Sequence, residues 1–80
     1  MPNLSKSRQN KSLLAIGGAI RRLRKERHIS QEGLALLAEI DRSYLGRVER
    51  GDNNAAILTL IKIADALQIK LTELMAAAKI

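Results

Sequence analysis

Apolar side chains recur along the chain at three- and four-residue spacing, the period that returns successive positions to one face of a helix. Leu13, Ile16, Ile20 and Leu23 predict a first helix from Ser12 to Arg27, with Arg21, Arg22, Arg24, Lys25 and Arg27 toward its end, where cations suit the helix dipole. Ser30 is placed to cap a short second helix that opens at Gln31 and Glu32, carries Leu34, Leu37 and Ala38 on its apolar side, and stops near Ala38 or Glu39. Asp41 caps a third running through Arg50, and Gly51 supplies the left-handed conformation that ends such helices. After the loop Asp52, Asn53, Asn54, the core face of a fourth helix is marked by Ile57, Leu60, Ile63, Ala64 and Leu67. Thr72 and Glu73 begin a short fifth helix holding Leu74 and Met75. The pattern predicts an all-α, compact five-helix domain with no repeat and no low-complexity segment.

Ahead of Ser12 the pattern lapses. Ser5, Lys6, Ser7, Arg8, Gln9, Asn10 and Lys11 accompany Leu4 as the single sizeable apolar side chain, too little to offset the entropy of ordering. Residues 1–11 are therefore expected to form a mobile basic arm and residues 12–80 the folded domain.

Composition narrows the class. Of the 80 residues 46% are hydrophobic, yet Tyr44 is the only aromatic, so the core must come from Ala, Leu, Ile and Val, a mixture weighted to helix formers. With no cysteine to staple it, one small domain is all the chain can build, which excludes a multidomain enzyme. The net charge of +6 favours an anionic partner, nucleic acid or a membrane surface. Its distribution is uneven: residues 1–28 hold eight basic residues against one acid, and residues 29–80 hold six against seven. Apolar runs such as Ala55 to Leu58 are far short of a membrane span, and the polar N-terminus lacks the apolar core of a signal peptide. A soluble cytoplasmic protein is expected.

Candidates for catalysis are few: one histidine, no cysteine and no carboxylate pair spaced for acid/base work. His28 is read as the residue closing the first helix, and neither a metal site nor a cofactor is expected. Gly17 and Gly18 lie inside a helical pattern rather than after a strand, so close helix packing is their expected use.

The second and third helices are the informative pair. Leu34, Ala35, Ala38, Ile40, Leu45 and Val48 are spaced so that two short helices can cross steeply, with Ala35 permitting close approach; a helix-turn-helix requires this pattern. Arg42, Ser43, Gly46 and Arg47 then share the opposite face of the third helix, which can enter a major groove. Arg bonds bidentately to a guanine edge, Ser donates or accepts, and Gly46 would remove a side chain near the bases.

These residues carry a resemblance to the Cro/CI-like helix-turn-helix family of phage repressors, also called the xenobiotic-response-element family. It rests on Ile16-Gly17, Ile20-Arg21 and Leu23-Arg24, on Ser30-Gln31-Glu32 with Leu34-Ala35, on Ile40 through Leu45, on Glu49-Arg50-Gly51, and on Thr59-Leu60, Lys62-Ile63-Ala64 and Ala66-Leu67. Residues 12–76 are covered. Within the family, the Asp41 to Leu45 stretch, on a chain without room for an effector domain, is similar to the small controller proteins of restriction-modification systems. The resemblance implies a phage-repressor-like fold in which Gln31 braces a phosphate while Arg42, Ser43 and Arg47 face the bases. Tyr44, Arg50 and Asn53 would meet the DNA backbone or, for Tyr44, a thymine methyl. It further implies that Arg24 pairs with Glu49, clamping the motif to its scaffold.

Three positions depart from the family's pattern. Glu39 occupies the turn position usually held by Gly, so it must turn left-handed at a cost of about 1 kcal/mol or the turn must change. The loop Asp52-Asn53-Asn54-Ala55-Ala56 replaces a commonly basic segment that ends in Asn-Pro-Ser, losing a phosphate-binding charge and the cap of the fourth helix. Gly33 stands for an acid and weakens the second helix.

The expected function is sequence-specific double-stranded DNA binding by a transcriptional regulator that excludes or recruits RNA polymerase. Leu58, Ile61, Leu71 and Met75, off the core face of the fourth and fifth helices, are the expected homodimer interface, and two-fold symmetry then calls for a pseudo-palindromic operator. An antitoxin whose main partner is a toxin is the alternative within the same fold. A basic amphipathic protein of the membrane surface is a third class, disfavoured by the absence of Trp and Phe anchors.

Overall fold

The computed structural model describes residues 10–80; residues 1–9, most of the expected basic arm, lie outside the described residues. Among the described residues five helices follow one another: α1 Lys11–Glu26, α2 Gln31–Ala38, α3 Arg42–Glu49, α4 Ile57–Ala66 and α5 Leu71–Ala77. No strand occurs among the described residues.

Local chemistry explains most of the starts. Ser30 Oγ accepts from Gly33 N (2.9 Å) at the head of α2, and Asp41 Oδ2 accepts from Tyr44 N (3.3 Å) at the head of α3. For α1 the cap is Asn10, whose Oδ1 accepts from Ser12 N (2.8 Å) and Leu13 N (3.1 Å). The helix therefore opens at Lys11, inside the segment read as an arm. α4 begins at Ile57, after Ala56, with no side-chain cap. α5 opens before Thr72, because Glu73 Oε1 reaches back to accept from Lys70 N at 2.7 Å.

All five ends are built alike. One residue turns left-handed, at His28 (φ 57°), Glu39 (61°), Gly51 (77°), Gln68 (63°) and Lys79 (61°). The next N–H then bonds back five residues, from Ile29 to Arg24 O, Ile40 to Ala35 O, Asp52 to Arg47 O, Ile69 to Ala64 O and Ile80 to Met75 O, at 2.9–3.1 Å. Only α3 uses glycine for this, and only α3 is followed by a residue other than isoleucine. Glu39 thus keeps the turn between α2 and α3 by adopting the strained conformation itself. Gln68→Gly is expected to raise stability by up to about 1 kcal/mol by relieving that strain, read as a higher urea midpoint.

Ile20, Leu34, Leu45, Ile63, Leu67 and Leu74 are fully buried, with Ala19, Ala35, Ala38, Val48, Leu60, Ala64 and Ala78 completing the core. Two residues read as core lie outside it. Leu37 is 61% exposed, since Leu34, Ala38 and Ala35 span about 100° of α2 and Leu37 falls about 60° beyond the Leu34 edge of that arc. Ile57 is also 61% exposed: it stands on the first turn of α4 and lines a crevice shared with Leu13, Ile16, Leu60 and Met75 instead of entering the core. Of the paired glycines, Gly17 packs against α3, while the space beside Gly18 is open, so close packing accounts for the first alone.

Candidate nucleic-acid interface

α3 lies across α2 with Leu45 and Val48 turned inward and Arg42, Ser43 and Arg47 exposed. Arg47 leans over the Tyr44 ring, its guanidinium carbon 5.8 Å from the ring centre, so the half-buried tyrosine supports the arginine from below. Gly46 is buried rather than part of the outer face. A Cβ there would lie 3.4 Å from Arg50 Nη1 and 3.6–3.7 Å from the Gln31 amide, ordinary contact distances, so it is these two side chains that cover the glycine.

A continuous line of hydrogen bonds runs from this face into the core. Arg42 Nη1 donates to Gln31 Oε1 at 3.1 Å, and Gln31 Nε2 donates to Glu49 Oε1 at 3.0 Å. Glu49 receives Arg24 Nε on Oε2 (2.8 Å) and Arg24 Nη2 on Oε1 (3.0 Å), and Arg24 Nη1 donates to Ile29 O (3.1 Å). The side chains of Arg24 and Glu49 are only 10% and 3% exposed. Because a guanidinium only donates and a carboxylate only accepts, the Gln31 amide fits this line in one orientation. Gln31 is thus occupied at both ends, linking an exposed arginine of α3 to a bidentate pair buried between α1 and α3.

The basic run of α1 is divided among several tasks. Arg22 Nη2 donates to Ala77 O at the end of α5 (2.8 Å), Arg24 is buried, and Arg27 Nη1 bonds Leu23 O (3.3 Å). Arg21 and Lys25 line one wall of an open cleft of about 490 Å³ between α1 and α3, with Arg50 opposite and Gln31, Gly46 and Glu49 beneath. Sequence reasoning missed these two as a pair, although their four-residue spacing places them on one face. Arg50 Nε donates to Asp52 Oδ2 at 3.2 Å. Asn53 is half-buried and lines the apolar crevice beside Ile57. Of the residues read as a dimer surface, Leu58 (73% exposed) and Ile61 stand off the core, whereas Leu71 and Met75 pack partly against it. Leu36, 74% exposed on α2, was not singled out from the sequence.

No group of three or more potential metal ligands occurs among the described residues, and no helix there is long and apolar enough to cross a membrane. A family model described as helix-turn-helix matches residues 20–74. The chain belongs to the helix-turn-helix family of DNA-binding transcriptional regulators. Helix-turn-helix relatives include Control protein C.MunI from Mycoplasma sp, 37% identical over 62 residues that cover 76% of this chain and 84% of that protein. Another is the immunity repressor protein of Bacillus phage phi105, 39% identical over 59 residues, of which this chain spans 41% while 74% of its own length is covered. Among solved structures, the restriction-modification controller protein C.AhdI from Aeromonas hydrophila superposes with a TM-score of 0.76 at 45% identity, covering 78% of this chain and 94% of that one.

Proposed function

We propose that this helix-turn-helix chain acts as a homodimer on a pseudo-palindromic operator, reading bases with Arg42, Ser43 and Arg47 and regulating transcription as a controller of a restriction-modification system. The observation that carries the reading is the outer face of α3, where two exposed arginines are each braced, Arg42 by Gln31 and Arg47 by Tyr44. Such bracing lowers the entropy lost when a guanidinium grips a guanine edge. The controller role is supported by the similarity to C.MunI and C.AhdI. A regulator of this kind acts in the cytoplasm, without catalysis of its own, by excluding or recruiting RNA polymerase.

The test is selection of bound duplexes from random DNA, followed by titration of the selected sequence against salt. Arg42→Ala or Arg47→Ala is expected to cost about 1–3 kcal/mol of binding and to relax preference at one position of each half-site. Full discrimination retained by both variants, or equal affinity of the wild type for all sequences at moderate salt, would remove α3 as the reading element.

Dimerisation is assigned to the α4 and α5 surface around Leu58 and Ile61, with Leu71 and Met75 at its edge. Covering that apolar surface would stabilise a small chain that has no disulfide. Two reading helices would then meet half-sites about 10 base pairs apart, or a multiple of that. Ile61→Asp is expected to convert a dimer to a folded monomer in analytical ultracentrifugation, because it buries an unpaired carboxylate at the contact. An unchanged dimer mass moves the interface elsewhere.

A further inference from the structure

The five helix ends differ at one place, and the difference puts an acid beside a cation of the proposed DNA face. Where four helices are followed by isoleucine, α3 is followed by Asp52. Its backbone N–H is tied to Arg47 O at 2.9 Å, and its carboxylate accepts from Arg50 Nε at 3.2 Å. Arg50 remains 64% exposed and Asp52 34%. The arginine folds back over Gly46 into the cleft it shares with Arg21 and Lys25, and on α3 it lies about 80° round from Arg42, on the same arc as Ser43. Among the described residues Arg21 and Lys25 have no carboxylate partner. The Glu49 charge beneath them is already answered by Arg24. Three cations thus converge on one cleft, and Asp52 is the acid bonded to any of them.

We propose that Asp52 is a specificity-determining residue: its carboxylate occupies Arg50 in the free protein and competes with a backbone phosphate for it, so that random duplex gains little from Arg50 while a matched operator displaces the pair. The inference rests on the duplex-binding reading above. An exposed pair is weak enough to be exchanged for a phosphate once α3 is seated, and strong enough to withhold a contact from a loosely held duplex. Asp52 thereby lowers the affinity for random DNA more than the affinity for the operator.

The experiment measures affinity for a random-sequence duplex and for the selected duplex, over a range of salt, with wild type, Asp52→Asn and Asp65→Asn. Asp65 is exposed on α4 and gives the same change in net charge without facing the cleft. Asp52→Asn is expected to tighten random duplex about two- to fivefold at low salt and to steepen its log–log salt slope by about 0.9, one additional phosphate contact. The operator should gain less, so the ratio between the two falls. The gain should vanish in an Arg50→Gln background. A gain no larger than that of Asp65→Asn, or one that persists without Arg50, overturns the proposal while leaving duplex binding intact. A wild type that binds neither duplex at low salt overturns the duplex-binding reading, and this one with it.

Discussion

Glu49→Ala is expected to lower the free energy of unfolding by about 3–5 kcal/mol, a large part of what holds a small domain folded. The Glu49 carboxylate takes hydrogen bonds from Arg24 Nε, Arg24 Nη2 and Gln31 Nε2 at 2.8–3.0 Å, and its side chain is 3% exposed. Truncation leaves the Arg24 guanidinium, at 10% exposure, with Ile29 O as its remaining partner. The loss arises chiefly from that stranded charge, not from the pair's net attraction, so replacing both residues together, as Arg24→Met with Glu49→Leu, should recover much of it. Urea denaturation of the single and double variants measures both quantities. A single-variant loss below about 0.5 kcal/mol would mean that water reaches the pair and solvates what is left.

Gly17→Ala is expected to destabilise by about 1–3 kcal/mol or more, and its neighbour Gly18→Ala to stabilise by about 0.5–1 kcal/mol. A Cβ at Gly17 would sit 2.3 Å from Val48 O and 2.6 Å from Glu49 O, backbone atoms that cannot swing aside as a side chain could. α1 would have to retreat from the end of α3, and the Arg24 to Glu49 bonds span the same gap. Nothing lies within 4 Å of a Cβ at Gly18, so alanine there only restricts the unfolded chain and favours helix. Thermal melts of the two variants, shifted in opposite directions, are the check; a shared direction would contradict the contact between α1 and α3.

Where a single side chain decides an outcome, the sequence was readable. Ser30 and Asp41 start α2 and α3 because each oxygen reaches one backbone N–H three residues on, a relation fixed by spacing. The exposure of Arg42, Ser43 and Arg47 follows from helical period. Asn10 was hidden because it lies in a polar run in which any of several residues could cap. Leu37 and Ile57 were misplaced because periodicity gives the direction of a face but not its width, nor how far the neighbouring helices extend over it. Gly46 was misread because burial there comes from the long side chains of Gln31 and Arg50, whose rotamers no spacing rule supplies. The hydrogen-bond line from Arg42 to Ile29 joins four elements of chain for the same reason and is visible only in three dimensions. One signal was present but unused: His28-Ile29, Glu39-Ile40, Gln68-Ile69 and Lys79-Ile80 each pair a polar residue with isoleucine at a helix end.

Those pairs separate two duties that a terminal glycine would merge. At three of these ends Ile29, Ile40 and Ile69 follow the turn and pack against the core, while Ile80 stays exposed, so the left-handed residue before each has no side-chain duty in the turn itself. A glycine would hold the same backbone with less strain but would carry no functional group. At His28, Glu39, Gln68 and Lys79 the chain instead exchanges about 1 kcal/mol apiece for a choice of surface chemistry. The residues at these four positions are therefore free to diverge in charge under selection from whatever meets the surface, while the fold keeps its helix lengths.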